Sequence, residues 1–334
     1  MPNSIQFKGP VSDMIPSEPY RISQEMLFEM LDLPLPSKSE MAGLHVATNY
    51  NLCFKRPDAR QRDDILKSVI EKIDADTQIV GSPERIDVWE KGWLESLSLY
   101  RQNRNLPSNG DALIPKFIRP NQAVRLNGDF AIPLVEHFES KMVAAIREIV
   151  FSHYFAEVSE FHEFGAGTGH NLLDYCKRFP EVKCFGSDFV ESSVQLVREI
   201  ATDFRLQLSA SLFDMVRPDD SYTIGTNSGV FTFGSIEQLA GSFHRFIEFL
   251  ISRKPAICVH IEPAIELYDA TQLYDWLAVK FQSKRGYTSG FLPFLQQLDH
   301  EQKIQLIQVK RLGFGSLMME GYNLIAWRPI SKLL

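Results

Sequence analysis

Apolar residues return at three- and four-residue intervals through residues 21–33, 58–73 and 83–100, the period of helices that bury one face. The stretches between them, DLPLPSKS and RNLPSNGDALIP, are rich in turn formers and read as loops. A longer helix is predicted over about 132–154, where Val135, Phe138, Met142, Ile146 and Ile149 fall on one face. Residues 1–155 are therefore expected to form a helical cap. Near residue 158 the pattern changes. VSEFHEF, VKCFGSD, LQLSASLFD, SYTIGTN and AICVHIE are short strand-like runs, and helical stripes such as Val190, Val194, Val197, Ala201 and Phe204 lie between most of them. This alternation predicts an α/β fold, a doubly wound and mostly parallel sheet, over residues 156–334. KIQLIQVKR and GYNLIAWRP are joined by a Gly-rich link with no helix, so they are expected to close the sheet edge in antiparallel fashion.

Composition narrows the partners. A chain of 334 residues with 44% hydrophobic content can bury one large core or two modest ones. The net charge of −7 disfavours long nucleic acid, whose phosphates demand clustered Lys and Arg. The densest basic stretch, KFIRPNQAVR, carries Lys116, Arg119 and Arg125; it is either a solvated connection or an anion clamp. Cys53, Cys176, Cys184 and Cys258 lack CxxC spacing, so neither a disulfide framework nor a zinc knuckle is indicated, and no metal is expected. No run of about 18 apolar residues occurs and residues 1–20 lack the features of a secretory signal, so the expectation is a cytoplasmic protein with no membrane partner.

The chemistry concentrates at FHEFGAGTGHN, residues 161–171. A strand that turns through glycines into a helix offers unpaired N–H groups at the positive end of the helix dipole, with no Cβ to obstruct a ligand. Dinucleotide sites use G-x-G-x-x-G, but here His170 holds the place of the third glycine. The series Glu163, Gly165, Ala166, Gly167, Gly169 instead resembles the first motif of the class I S-adenosylmethionine-dependent methyltransferases, an acidic residue followed by G-x-G-x-G. Asp188, ending the second strand, matches the family's ribose-binding carboxylate, with Phe189 beside it for the adenine. Phe213 and Asp214 stand where the family's adenine-edge pair does, and the two-strand ending matches its reversed final strand.

The resemblance covers about residues 157–329 and implies a seven-stranded sheet with S-adenosylmethionine as cofactor and S-adenosylhomocysteine as product. It also implies that Asn227 and Ser228, read as the end of the fourth strand, lie beside the cofactor. Other uses of these residues stay open: Asp188 as an N-cap, Phe189 and Phe213 as core aromatics, Asp214 as a turn former. Only MVRPDDS separates Asp214 from Tyr222, too little for the usual crossover helix.

For the acceptor, the absence of an NPPY or DPPY motif after the fourth strand and the acidic charge favour a small metabolite or natural product bound with help from the N-terminal half. A protein acceptor, or a catalytically silent cofactor-binding subunit, are the alternatives. In CVHIEP, side-chain alternation puts Cys258, His260 and Glu262 on one strand face. Glu262, oriented with His260, is the candidate base; the alternative is a carboxylate capping the next helix beside a core histidine. His170 and His244 are weaker candidates.

Overall fold

A computed structural model describes residues 19–37, 50–80, 84–104, 113–115 and 118–330. Its helices are α1 (Gln24–Leu31), α2 (Ala59–Ala75), α3 (Glu84–Gln102), α4 (Phe138–Tyr154), α5 (His170–Arg178), α6 (Glu191–Asp203), α7 (His244–Arg253), α8 (Leu273–Arg285) and α9 (Phe291–His300). The strands of the N-terminal part are β1 (Tyr20–Arg21), β2 (Cys53–Lys55), β3 (Val124–Leu126) and β4 (Asp129–Pro133). Those that follow are β5 (Glu160–Phe164), β6 (Lys183–Asp188), β7 (Leu208–Leu212), β8 (Ser228–Phe233), β9 (Ile257–Glu262), β10 (Ile304–Lys310), β11 (Phe314–Gly315) and β12 (Asn323–Pro329).

The main sheet has seven strands in the order β10-β12-β9-β8-β5-β6-β7. β5, β6, β7, β8 and β9 pair in parallel, and β12 runs antiparallel to both β9 and β10, as the link without a helix required. Every residue of β9 is buried, which explains why ICVHIE reads as a nearly continuous apolar run. On one face α4 packs through Phe151, which meets Phe161, Tyr175 and Phe231 edge-on at 5.1–5.5 Å. Such aromatic pairs add about 0.5–1.5 kcal/mol each beyond their buried area.

Two expectations change in the N-terminal part. The cap is not purely helical, because β1, β2, β4 and β3 form a second sheet completed by β11 from near the other end of the chain. The helix predicted from 132 begins only at Phe138; residues 129–133 belong to β4, which Pro133 ends, and His137 precedes the helix in a left-handed conformation. The other N-terminal helices lie close to where apolar spacing put them. α2 is opened by a capping box, Asp58 with Gln61. The hydrophobic core that holds the sheet also contains Leu27 and Phe28 of α1 and Phe54 of β2, so a boundary near 155 does not separate two cores. Among the described residues no helix is long and apolar enough to cross a membrane.

The fourth strand of the sheet is also displaced from its expected place. SYTIGTN is not a strand: Asp219 accepts hydrogen bonds from the Ser221 amide and hydroxyl in a side-chain turn. The buried run Ser228–Phe233 forms β8 instead. β7 therefore reaches β8 through a helix-free connection over residues 213–227.

Candidate active site

The carboxyl end of β5 runs into the glycine loop. Gly165, Gly167 and Gly169 have φ of 76°, 53° and 72°, the left-handed region that side chains with a Cβ rarely enter. Space is equally restrictive: a Cβ on Gly165 would lie 2.4 Å from Cβ of Ser235, and one on Gly169 would lie 3.0 Å from Val197 of α6. Asp188, at the end of β6, accepts the Gly167 amide at 2.9 Å on one oxygen and the Val190 amide on the other. The Ser193 hydroxyl donates to the Gly167 carbonyl at 2.6 Å. The loop is thus tied to the start of α6, and burial pushes the Asp188 carboxyl up to about 6.

Above the loop lies a cavity roofed by α3. Trp89 and Trp93 stack with ring centroids 5.4 Å apart, and a Cβ on Gly167 would sit 3.0 Å from the Trp93 ring. Polar contacts hold α3 against α6: Arg101 and Arg104 both pair with Glu199, the Tyr100 hydroxyl donates to Asp203, and Glu90 accepts from the Ser192 amide. Ser140, Val143 and Arg147 of α4 form a second wall, and Phe233 with Gly234, just past β8, a third.

Arg147 is the buried cation of this cavity. It donates to the Asn171 side-chain oxygen at 2.8 Å, meets His170 at 3.1 Å and pairs with Asp174. Asn171 in turn donates to Glu163 Oε1 at 2.6 Å. Glu163 Oε2 and His170 Nδ1 are buried without a hydrogen-bond partner. Burial raises the Glu163 carboxyl to about 8, partly offset by Asn171 and Arg147, while burial and the Arg147 charge lower His170 to about 3. Both shifts favour the uncharged form.

Gly165, Ala166 and Gly167 line the cavity, Gly169 continues the loop, and Asp188 and Glu163 join it through hydrogen bonds with Gly167 and Asn171; Phe189, next to Asp188 in sequence, is 40% exposed. Phe213 is buried among Phe164, Tyr222 and Phe249, in the core rather than the cavity. Asp214 accepts the Val216 amide and pairs with Arg217, a turn former.

Asn227 and Ser228 are a correction. They open β8 instead of ending it, so they lie at the amino edge of the sheet, where Ser228 donates to Glu160. The proposed base is a second correction. Glu262 accepts from the amides of Ser235, Ile236 and Glu237, capping the 3-10 turn Ile236–Leu239. His260 is fully buried between the Thr232 hydroxyl and the Trp327 indole N–H. Neither lines the cavity, since the side chains that alternate onto this face of β9 meet the core and the next turn. His244 stacks on Phe243.

Of the basic stretch, Arg125 is buried with its guanidinium on the Leu317 and Tyr274 carbonyls, Arg119 is exposed, and Lys116 lies outside the described residues. Sequence reasoning missed Arg147, Trp89, Trp93 and Phe233. The available signal was Arg147 itself, a charge beside the apolar face of α4.

No family model matches the chain, and no curated protein matches its sequence. Solved structures do resemble it in part. The pyocyanin biosynthetic protein PhzM is 11% identical over 70% of this chain, with a TM-score of 0.45. The match spans 62% of PhzM, less than two thirds of its length. The [4+2]-cyclase SpnF is 13% identical, covering 57% of this chain and 83% of its own, at a TM-score of 0.44. An S-adenosylmethionine-dependent methyltransferase from Aquifex aeolicus is 14% identical, covering 55% and 89%, at 0.40. These overlaps are too partial to add to what the topology shows. The seven-stranded order, the single reversed strand β12 and the glycine loop between β5 and α5 make this a doubly wound, mostly parallel Rossmann-like α/β fold.

Proposed function

We propose that this chain binds S-adenosylmethionine over the glycine loop and transfers its methyl group to a small-molecule acceptor. The observation that carries this reading is the cavity itself, with left-handed glycines on one side and the buried Arg147 facing them from α4. The residues fit the cofactor. The loop approaches without a Cβ, Arg147 can take a carboxylate, and the orphaned Glu163 Oε2 and His170 Nδ1 have unmet hydrogen-bonding capacity. Asp188 keeps acceptor capacity for ribose hydroxyls, since a carboxylate has about four acceptor positions. Phe189 offers a half-exposed ring to the adenine.

Bound there, the cofactor supplies a methyl carbon carried on a positively charged sulfur. The chain's own part is to orient two molecules and to exclude water, the contribution that positioning makes to a bimolecular reaction. Trp89, Trp93, Ile118 and Phe233 give the cavity apolar walls, which suit a compact acceptor, and the N-terminal part supplies all of them but Phe233. The net charge of −7 supports an acceptor other than nucleic acid.

Calorimetry with S-adenosylhomocysteine tests the reading. The parent should bind it, and Arg147→Ala should weaken binding by roughly 1.5–3 kcal/mol, the scale of a hydrogen bond to a charged group. Absence of binding by the parent overturns the assignment.

A further inference from the structure

Two spaces share the Arg147 side chain. One is the cavity over the glycine loop, and the other is an open cleft of about 640 Å³ between α4 and α5. Helical spacing builds the second. Arg147, Glu148 and Phe151 fall on one face of α4, and Asp174, Lys177 and Arg178 on one face of α5. Tyr50 and Phe179 complete its walls.

Three cations meet two carboxylates in this cleft. Asp174 pairs with Arg147, and Glu148 Oε1 accepts from Arg178 Nη1 at 2.8 Å, while Lys177 Nζ lies over the Phe204 ring at 4.6 Å. The lining keeps a net positive charge. Of the five donor hydrogens of a guanidinium, Arg178 spends one on Glu148, and its Nε is buried with no acceptor. Unmet donors in a positive cleft call for an anion. The single excess charge matches a monoanion, and the rings of Tyr50, Phe151 and Phe179 offer flat apolar surface to an aromatic body.

We infer that the cleft is a second ligand site, for a small aromatic carboxylate whose charge meets Arg178 and Lys177 and whose ring lies among Tyr50, Phe151 and Phe179. The site stands apart from the proposed methyl transfer, and only its coupling to the cofactor rests on that reading. An anion in the cleft draws on the Arg147 charge that the cofactor carboxylate also needs. Each ligand should therefore weaken the other, and by the same factor.

The experiment is calorimetry of benzoate binding to the full chain, without and with S-adenosylhomocysteine. Benzoate should bind the unloaded chain, and benzamide, its neutral isostere, should bind at least about tenfold more weakly. Arg178→Gln should weaken benzoate at least about tenfold, and Lys177→Gln, at an exposed position, about threefold. Both variants should keep S-adenosylhomocysteine affinity within about twofold of the parent. In the parent, benzoate should raise the Kd for S-adenosylhomocysteine about fivefold and then no further, because both ligands are bound at once. A Kd that climbs without limit puts benzoate in the cofactor cavity and overturns the second site. So does a parent that binds no benzoate, equal binding of benzamide, or parent-like benzoate affinity in Arg178→Gln. An unchanged Kd overturns the coupling alone. A chain that binds benzoate through Arg178 and does not bind S-adenosylhomocysteine overturns the methyl-transfer reading and leaves the second site in place.

Discussion

Glu163 and Glu262 stand at the carboxyl ends of β5 and β9, the two strands that flank β8. Both are buried, and burial raises both carboxyls, to about 8 and about 7. They differ in what they hold. Glu262 takes three backbone amides and orders the turn whose Ser235 packs against Gly165. Glu163 takes one side-chain amide, leaves Oε2 unpartnered, feels the Arg147 charge and is linked to the cavity through Asn171. A raised proton affinity at a strand end is common to a cap and to a ligand site. Unmet hydrogen-bonding capacity beside a cavity separates them.

Removing the cap should have the largest effect. Glu262→Ala strands several buried donors and should destabilise the fold by about 3 kcal/mol, read from the denaturant midpoint. Glu262→Gln, which keeps one acceptor oxygen, should lose less than half of that. Parent-like stability in Glu262→Ala would erase the contrast between the two glutamates. Next comes Asp188→Ala, which should weaken S-adenosylhomocysteine binding by roughly 1.5–3 kcal/mol; unchanged affinity in calorimetry would take Asp188 out of the site.

At Glu163 the effect appears as a pH slope instead of a fixed loss. Its folded-state carboxyl titrates near 8 against an ordinary 4.5. The unfolded chain therefore releases this proton first, and the stability that the group contributes below pH 4.5 is lost as pH rises toward 8. Glu163→Gln cannot ionise, so relative to it the parent should lose about 1 kcal/mol per pH unit inside that window. Parallel stability curves for the two proteins would show that Glu163 is charged in the fold.

Much of this was legible in the sequence. The glycine triplet, Asp188 and the reversed last strand are local signals, because a left-handed backbone demands glycine and a helix-free link demands an antiparallel return. The helices of the N-terminal part followed from apolar spacing. Asn227 and Ser228 were misplaced because SYTIGTN alternates like a strand, while the true strand, SGVFTF, is buried on both faces and carries no alternation. The cavity walls were not legible for a different reason. Trp93 reaches Gly167 and Arg147 reaches Asn171 across gaps in sequence that no local pattern encodes. β11 is the extreme case, a two-residue strand that exists only because β3 is there to pair with it.

That two-residue pairing sets an order on biosynthesis. As the chain leaves the ribosome, β3 and β4 emerge together, but the edge of β3 that Phe314 and Gly315 complete stays open until residue 315 has been made. The small sheet closes only after β5 to β10 have emerged, and until then its unpaired edge is exposed to other nascent chains. A stop codon anywhere before residue 314 leaves that edge open permanently, so truncated products should aggregate rather than accumulate as a soluble N-terminal fragment.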